Sequence, residues 1–313
     1  MSINLSTTLS TSRGEITLPN PIVAASGSFG HSDELLDVVD YSKIGAITIK
    51  SLAPFESPGN VAPRVAGVPT GMMNSVGLPG PHIQNWIDED FHKLKDIPGR
   101  FIMSFWGLSY EDYSKAASML APIANDFVAL EVNLSCPNVE SGKLFGQDAN
   151  DSREILKLVR AELDENIIVS AKLSPMVTSA VEIAEGAIEG GADLLTLFNT
   201  ALGLNIDPYT RKPNLGKGPG GYSGSGISPI VQKGVFDVHN KFPDTPIIGT
   251  GGVSTGHDAA AMMMCGASAV GVAAATFADP HATVRIANEL QDFCFETGVA
   301  DIKDLIGAAE MPS

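Results

Sequence analysis

The chain has 313 residues, 44% of them hydrophobic, and its 36 acidic against 20 basic residues give a formal net charge of −16. Nucleic acids and anionic membrane surfaces are bound by basic faces, so we expect neither of them as a partner. Three cysteines without CxxC spacing predict neither a disulfide framework nor a zinc cluster.

The N-terminal residues lack the basic and apolar stretches of a signal peptide, and we find no membrane-spanning pattern. We therefore expect a cytoplasmic protein, and the absence of a linker predicts a single domain over residues 1–313. Residues 1–20 hold two short alternating pieces around Arg13. These pieces predict a hairpin, placed at the bottom of the main domain.

Short apolar runs then alternate with amphipathic helical segments along the whole chain. Continuous apolar runs are typical of strands that are buried on both faces of a parallel sheet. Eight β–α alternations favour a closed (β/α)8 TIM barrel, and a doubly wound open sheet is the alternative. The predicted strands are residues 22–25, 46–49, 101–105, 127–132, 167–173, 194–198, 246–249 and 269–273.

Two long insertions interrupt this alternation, at residues 51–82 and 202–228. Both are rich in Gly or Pro, and we expect them to be irregular. Long loops in compact domains are usually functional or disordered. Because both insertions follow strands, they are predicted to form walls of an active site on the C-terminal face of the barrel.

The loop after the fourth strand presents Asn133, Cys136 and Asn138. Carboxamides can recognise a planar amide ring, a thiol can move a proton, and barrel active sites lie where strands end. A lone cysteine is most often a small buried hydrophobe, but this loop position favours a catalytic Cys136. By contrast, Cys265 and Cys294 have apolar helical surroundings and are predicted to belong to the core.

Lys50 and Lys172 interrupt or end apolar strands. Lysine is rarely buried without a partner, so each could pair with a carboxylate, face a bound anion or form a Schiff base. Two lysines near several carboxamides favour electrostatic stabilisation. Asn199 and Thr200, which close the sixth strand, are predicted at the same rim.

Glycines follow the seventh strand in residues 249–253, and residues 269–275 form the eighth strand and its loop. Barrels commonly bind phosphate through backbone N–H groups at these two loops. Residues 218–226 are also rich in glycine, but no GK[ST] follows, so they are not a P-loop and could be a mobile lid. The six histidines form no metal-binding pattern, and we predict no metal.

Taken in order, these segments resemble the class 1 dihydroorotate dehydrogenases over about residues 3–305. The resemblance implies a barrel that binds FMN and oxidises (S)-dihydroorotate to orotate in pyrimidine synthesis. The segments that carry it are residues 25–27, Lys50, 58–64, 73–79, 133–138, 171–175, 199–200, 220–224 and 248–253.

The resemblance also implies residue roles. Cys136 would take the C5 proton, the C6 hydride would go to flavin N5, and Lys50 and Lys172 would assist. Because the thiolate is the base and a free thiol titrates at about pH 8.5, activity should rise with pH. The implied substrate-binding residues are Lys50, Asn74, Ser75, Val76, Gly77, Leu78, Asn133, Asn138, Asn199 and Thr200. The implied FMN-binding residues are Ser26, Lys50, Ser51, Ser104, Asn133, Lys172, Phe198, Gly224, Gly251, Gly252, Ala273 and Ala274.

The chain departs from the family at two places. Ala273 and Ala274 stand where Gly-Thr is usual, which removes a hydroxyl near the phosphate, and Ser104 stands where asparagine is frequent. The segments around residues 199–213 and 276–280 resemble class 1B, which implies a partner subunit with FAD and a [2Fe-2S] cluster that passes electrons to NAD. The assembly would be a homodimer or a heterotetramer of two catalytic and two electron-transfer chains.

Several alternatives remain open on the sequence. One is a class 1A homodimer that uses fumarate. Another is a non-redox phosphate-binding barrel with a Schiff-base lysine. A third is an oxidoreductase acting on uracil-like rings, similar to a domain of dihydropyrimidine dehydrogenase. A binding or structural role would explain neither the polar rim nor the glycine-rich loop.

Overall fold

The computed structural model describes residues 2–134 and 145–312. Over these residues the strands are β1 (Thr7–Thr11), β2 (Gly14–Leu18), β3 (Ile22–Ala24), β4 (Ala46–Thr48), β5 (Val65–Val68), β6 (Gly71–Asn74), β7 (Phe101–Phe105), β8 (Ala129–Asn133), β9 (Val169–Lys172), β10 (Leu194–Leu197), β11 (Ala201–Gly203), β12 (Ile206–Asp207), β13 (Lys212–Pro213), β14 (Gly220–Ser223), β15 (Ile247–Thr250) and β16 (Ala269–Val272).

The α-helices of the described residues are α1 (Ile83–Glu89), α2 (Phe91–Leu94), α3 (Tyr110–Leu120), α4 (Ala149–Ala161), α5 (Ala180–Glu189), α6 (Ser228–Lys241), α7 (Gly256–Met264), α8 (Ala274–Ala278) and α9 (Ala282–Thr297). Short 3-10 segments add Tyr41–Lys43, Ala121–Asp126, Phe145–Gln147, Ser225–Ile227 and Ile302–Leu305. None of the described helices has both the length and the hydropathy needed to cross a membrane.

The central element is a closed barrel of parallel strands in the order β3-β4-β7-β8-β9-β10-β15-β16, with β16 returning to β3. Every predicted strand is present, with ends that differ by at most a few residues, so the barrel prediction is confirmed and the open-sheet alternative is wrong. All five residues of β7 and all five of β8 are buried. Burial on both faces explains why the strands read as continuous apolar runs.

The outer helices cover the barrel with one apolar face each. In α4, the carboxylate of Asp148 caps the first turn by accepting hydrogen bonds from the N–H groups of Asn150 and Asp151. The buried residues Ile155, Leu156 and Val159 lie on one side of this helix, which packs between α3 and α5. Buried positions at this spacing give the amphipathic helical pattern that is seen between the predicted strands in the sequence.

The N-terminal hairpin closes the bottom of the barrel, as predicted. Strands β1 and β2 pair antiparallel from Thr7–Leu18 to Thr11–Gly14. Their buried side chains, Leu9, Ile16 and Leu18, form one hydrophobic cluster with a layer inside the barrel, which we call the lower layer. The lower layer consists of Val23, Ala46, Ile102, Ala129, Ile168, Leu194, Ile248 and Ala269.

The two insertions are not irregular, and in this respect the sequence-based expectation is wrong. Residues from both insertions pair into one antiparallel sheet with the order β11-β14-β6-β5. Its strands are only partly buried and contain several glycines, so they show no apolar run. Pairing between Asn74 and Gly221 joins segments that are far apart in the sequence.

Candidate active site

A cavity of about 530 Å³ opens at the carboxyl ends of the barrel strands, beneath the antiparallel sheet. Residues of the sheet, among them Gly67, Thr70 and Tyr222, form its outer wall. The cavity brings together many residues that the sequence assigned to cofactor or substrate. These are Ser26, Lys172, Phe198, Asn199, Thr200, Gly224, Gly251, Gly252, Ala273 and Ala274.

The end of β15 is built so that its backbone lies against the cavity. Gly251 and Gly252 have φ angles of +135° and +82°, which side chains rarely adopt. A Cβ atom at residue 252 would also lie 2.5 Å from the Cβ of Ser228. Only glycine therefore fits at Gly252, and a small anion can approach the backbone N–H groups there.

The middle of the barrel interior is polar, in contrast to the lower layer. Glu131 on β8 is 2% exposed. Its Oε1 accepts a hydrogen bond from Ser104 Oγ at 3.0 Å, and its Oε2 accepts one from Thr196 Oγ1 at 2.9 Å. Ser170 Oγ lies 3.0 Å from Thr196 Oγ1. We call Ser104, Glu131, Ser170 and Thr196 the polar layer.

Lys172, the last residue of β9, connects the polar layer to the cavity. Its Nζ lies 3.8 Å from Glu131 Oε1, and the two side chains are 6% and 2% exposed. The sequence left open whether this lysine pairs with a carboxylate or faces a bound anion. The pairing with a carboxylate is present, since Lys172 contacts Glu131 below. Lys172 also lines the cavity above, where it could face an anion.

A chain of hydroxyl groups links the polar layer to the cavity on the other side. Ser104 Oγ lies 2.8 Å from Ser51 Oγ, which lies 3.3 Å from Ser26 Oγ. Asn133 Nδ2 donates to Ser51 Oγ at 3.3 Å. Among the described residues Ser26 lines the cavity, whereas Ser51 and Ser104 are buried beneath it. Contacts of Ser51, Ser104 and Asn133 with a cofactor therefore stay predictions.

Lys50 and the segment from Asn74 to Leu78 lie beside the cavity, and within the described ranges they do not line it. Burial lowers the pKa of Lys50, Glu34 opposes this shift and Arg64 adds to it. Asn74 Nδ2 donates to the carbonyl of Gly221 at 3.4 Å.

The backbone after Asn74 is held in a specific shape. Gly77 has a φ of +75° and Leu78 a φ of +48°, both in the left-handed region. Asn60 fixes this segment, because its N–H donates to the Val76 carbonyl at 3.0 Å and its side chain donates to Ser75 Oγ at 3.0 Å. Arg64 Nε in turn donates to the Asn60 carbonyl at 2.6 Å. Sequence reasoning gave neither Asn60 nor Arg64 a role.

Asn199 and Thr200 follow β10 at the mouth of the barrel. The N–H of Asn199 donates to the Leu173 carbonyl at 2.8 Å, and the N–H of Thr200 donates to Asn199 Oδ1 at 2.8 Å. Gly221 of β14 packs directly against Thr200, since a Cβ at residue 221 would lie 2.0 Å from Thr200 Oγ1. The sheet therefore fixes the position of the threonine hydroxyl.

Cys136 and Asn138 lie outside the described residues, so their predicted roles stay predictions. The chain leaves the barrel at Leu134, whose N–H donates to the Lys172 carbonyl at 3.1 Å. It returns beside the same point, because the N–H of Gly146 donates to the Leu134 carbonyl at 2.7 Å. Leu134 therefore lies beside Lys172, and Gly146 lies beside Leu134.

The other two cysteines lie away from the cavity. Cys294 is fully buried in α9, and Cys265 packs against the core at the end of α7. Burial raises the pKa of both thiols. The predicted core position is confirmed for Cys294, whereas Cys265 is partly buried and packs against the edge of the core. Across the described part of the chain, no group of His, Cys, Asp and Glu is arranged to hold a metal ion.

Comparison with known proteins identifies the family. Residues 8–294 match the family model described as dihydroorotate dehydrogenase. The chain is 38% identical over 304 residues to the "Dihydroorotate dehydrogenase B (NAD(+)), catalytic subunit" of Bacteroides thetaiotaomicron, covering 97% of this chain and 99% of that protein. It is 40% identical over 294 residues to the protein of the same name from Geotalea uraniireducens, covering 94% and 95%.

A further relative, from Aquifex aeolicus, is named "Putative dihydroorotate dehydrogenase A (fumarate)". It is 40% identical over 296 residues, covering 94% of this chain and 96% of that protein. The predicted resemblance to this family and to its NAD-linked catalytic subunits is confirmed, as is the prediction of an enzyme. The chain belongs to the dihydroorotate dehydrogenase family of FMN-dependent oxidoreductases.

Proposed function

We propose that this chain oxidises (S)-dihydroorotate to orotate with bound FMN in pyrimidine biosynthesis. The observation that carries the proposal is one cavity that gathers Lys172, Asn199, Thr200 and the glycines after β15, in a chain that matches this family over most of its length. A flat polar ring needs such convergent amide, hydroxyl and ammonium groups.

The residues around the cavity fit FMN. Gly252 lines the cavity, and its backbone lies so close to Ser228 that an added Cβ would be 2.5 Å from the Ser228 Cβ. The bare backbone N–H groups at this loop can approach a phosphate. At the neighbouring loop, Ala273 and Ala274 keep backbone N–H groups that can donate hydrogen bonds to a phosphate. Ser26, Phe198 and Gly224 also line the cavity and would contact the cofactor. Bound FMN would supply the hydride acceptor, its N5 atom, for the C6 hydrogen of dihydroorotate.

The protein's own residues would perform the remaining work. The thiolate of Cys136 would take the C5 proton, and loss of that proton together with the C6 hydride leaves the C5–C6 double bond of orotate. Asn74, Asn133, Asn138, Asn199 and Thr200 would hydrogen-bond the substrate ring and its carboxylate. Lys50 and the backbone from Ser75 to Leu78 would complete the carboxylate site. Unpaired amide groups would disfavour rings that lack the matching donors and acceptors.

For the electron acceptor we propose NAD, reached through a partner subunit that carries FAD and a [2Fe-2S] cluster. The relatives from Bacteroides thetaiotaomicron and Geotalea uraniireducens, named NAD-dependent catalytic subunits, support this choice. The chain cannot ligate the cluster in the usual way alone, because four cysteines are needed and the sequence has three. The Aquifex relative keeps the fumarate-using homodimer as the second candidate. The cytoplasmic location stays a prediction.

The first experiment is anaerobic reduction of the FMN-loaded chain by (S)-dihydroorotate. We expect the flavin absorbance to bleach within seconds, and orotate to compete. Flavin that stays oxidised, or that bleaches equally with dihydrouracil, would overturn dihydroorotate as the substrate. A chain that binds no FMN but is trapped on a lysine by borohydride with a carbonyl compound would support the Schiff-base alternative.

A second experiment separates the acceptors. The reduced chain, alone and together with a candidate electron-transfer subunit, is mixed with NAD or with fumarate. We expect reoxidation by NAD only when the subunit is present. Fast reoxidation of the chain alone by fumarate would instead place it with the homodimeric branch.

A further inference from the structure

The barrel interior holds a carboxylate that the proposed reaction does not use. Glu131 is 2% exposed, and each of its oxygens accepts one hydrogen bond from a neutral hydroxyl group. Burying a carboxylate is costly unless it is hydrogen-bonded and paired with a cation. Ser104 and Thr196 supply the hydrogen bonds, and Lys172 is the cation that contacts it among the described residues.

Lys172 and Glu131 are close enough to interact electrostatically but too far apart for a direct hydrogen bond. A charge-assisted hydrogen bond between an ammonium and a carboxylate is typically about 2.7–2.9 Å long, whereas Lys172 Nζ lies 3.8 Å from Glu131 Oε1. The two hydroxyl donors fix the carboxylate in the polar layer. The ammonium therefore stays above it, close enough to feel its charge and free to point donors into the cavity.

We propose that Glu131 is a positioning residue that holds Lys172 at the floor of the cavity and limits how strongly this lysine stabilises negative charge on a bound flavin. The inference rests on the proposed FMN function. Two opposite charges at this distance interact strongly in a buried setting. Without the carboxylate, the full positive charge of Lys172 acts on the ligand above it.

Sulfite affinity measures this effect without the substrate. Its sulfur lone pair forms a bond to flavin N5, and the displaced electron pair of the ring carries a negative charge to the N1–C2 carbonyl edge. No oxidant or reductant is consumed, and the adduct is read directly from the loss of flavin absorbance. Lys172 lines the cavity that would hold the flavin, so its positive charge would tighten sulfite binding and loss of that charge would weaken it.

We expect Glu131→Gln to lower the sulfite Kd about tenfold and Lys172→Met to raise it about tenfold. One close charge typically changes an equilibrium constant for a charged group by about this factor. Glu131→Asp keeps the charge and should stay within about twofold of the wild-type protein. The matched control is Ser170→Ala, which removes a buried hydroxyl from the polar layer without changing charge and should also leave Kd within about twofold.

An unchanged or raised Kd in Glu131→Gln would overturn the inference, as would equal changes in Glu131→Gln, Glu131→Asp and Ser170→Ala, which would mean a packing role only. If Glu131→Gln does not fold, Glu131→Met, which removes the charge with an unbranched side chain of similar length, takes its place and should lower the sulfite Kd about tenfold; no tightening there overturns the inference. A chain that cannot be loaded with FMN overturns both proposals. FMN-loaded variants that all bind sulfite equally overturn this one alone.

Discussion

The lower layer and the upper part of the barrel interior are built on the same strands and differ in almost every property. The lower layer is apolar and is closed by Leu9, Ile16 and Leu18 of the hairpin. The polar layer above it contains a carboxylate and three hydroxyl groups, and above that lies the cavity. In such barrels the N-terminal end usually provides stability and the C-terminal end carries catalysis.

The change occurs over a short distance along each strand. Side chains of a strand alternate between its two faces, so positions two residues apart share a face. Ala129, Glu131 and Asn133 of β8 lie in the lower layer, the polar layer and the rim respectively. Ile168, which directly precedes β9, and Ser170 and Lys172 of β9 repeat this order. A stability residue and a candidate site residue are thus four positions apart.

The largest expected effect is at the rim. Cys136→Ala should reduce turnover by about 10²–10⁴-fold, the usual contribution of a positioned acid or base, because no thiolate is left to take the C5 proton. Steady-state rates from pH 6 to pH 10 should lose the alkaline rise. Cys265→Ala, at a cysteine far from the cavity, is the control. Full turnover in Cys136→Ala at every pH would rule out the role.

The second effect is at the opposite end of the barrel. Leu18→Ala should lower the free energy of unfolding by about 2–5 kcal/mol, because loss of a side chain that is 1% exposed leaves a cavity between the hairpin and the lower layer. Urea unfolding measures this change, and the folded variant should keep its rate per active site. Thr17→Ala, on the exposed face of the same strand, is the control. A large loss of turnover at unchanged stability would contradict the division between the two ends.

A third, smaller effect tests the wall above the cavity. Gly221→Ala would place a Cβ 2.0 Å from Thr200 Oγ1 and 2.7 Å from Thr200 Cβ, so the threonine must move. We expect the KM for dihydroorotate to rise by about tenfold, since small displacements of binding groups are costly. Leu202→Ala, in the same sheet, is the control, because the Leu202 side chain is 60% exposed and does not line the described cavity. Equal KM values for the two variants would remove Thr200 from the substrate site.

The sequence was sufficient to predict the barrel and the rim. Strands buried on both faces leave apolar runs, and polar residues that end such runs, such as Lys172 and Asn199, must lie at one edge. The same feature hid Glu131. A run that is buried on both sides does not reveal which residues face the interior, so a carboxylate within it had no predicted neighbour. The register of β8 with β9 pairs Glu131 with Ser170 and Asn133 with Lys172, and from there the lysine Nζ reaches to 3.8 Å from the carboxylate.

The wall of the site was the least predictable part. Its strands are half exposed and contain glycines, so no periodic pattern marks them, and their partners are distant in sequence. The positions of Gly221 and Thr200 depend on that pairing. Steric fit of this kind, between a glycine of the second insertion and a threonine that follows β10, leaves no local signal.

The smallest expected effect compares two histidines at the two ends of the molecule. Burial lowers the pKa of His31, near Lys50, and of His239, near the end of α6, below the ordinary value of 6.5. For His31 the positive charge of Lys50 adds to the shift, while Glu34 and Asp90 oppose it. The unfolded chain therefore binds protons at a higher pH than the folded protein, and stability should fall as the pH drops below 6.5.

Replacing these histidines should flatten that dependence. His31→Gln and His239→Gln are each expected to reduce the loss of stability between pH 6.5 and pH 5, measured by urea unfolding, and the two effects should add because the sites are independent. The exposed His92→Gln is the control. Only His31 should respond to Lys50→Met, which removes one cause of its lowered pKa and brings its titration closer to 6.5. An identical response of His239 would mean that Lys50 acts on the fold as a whole and not through its charge at the rim.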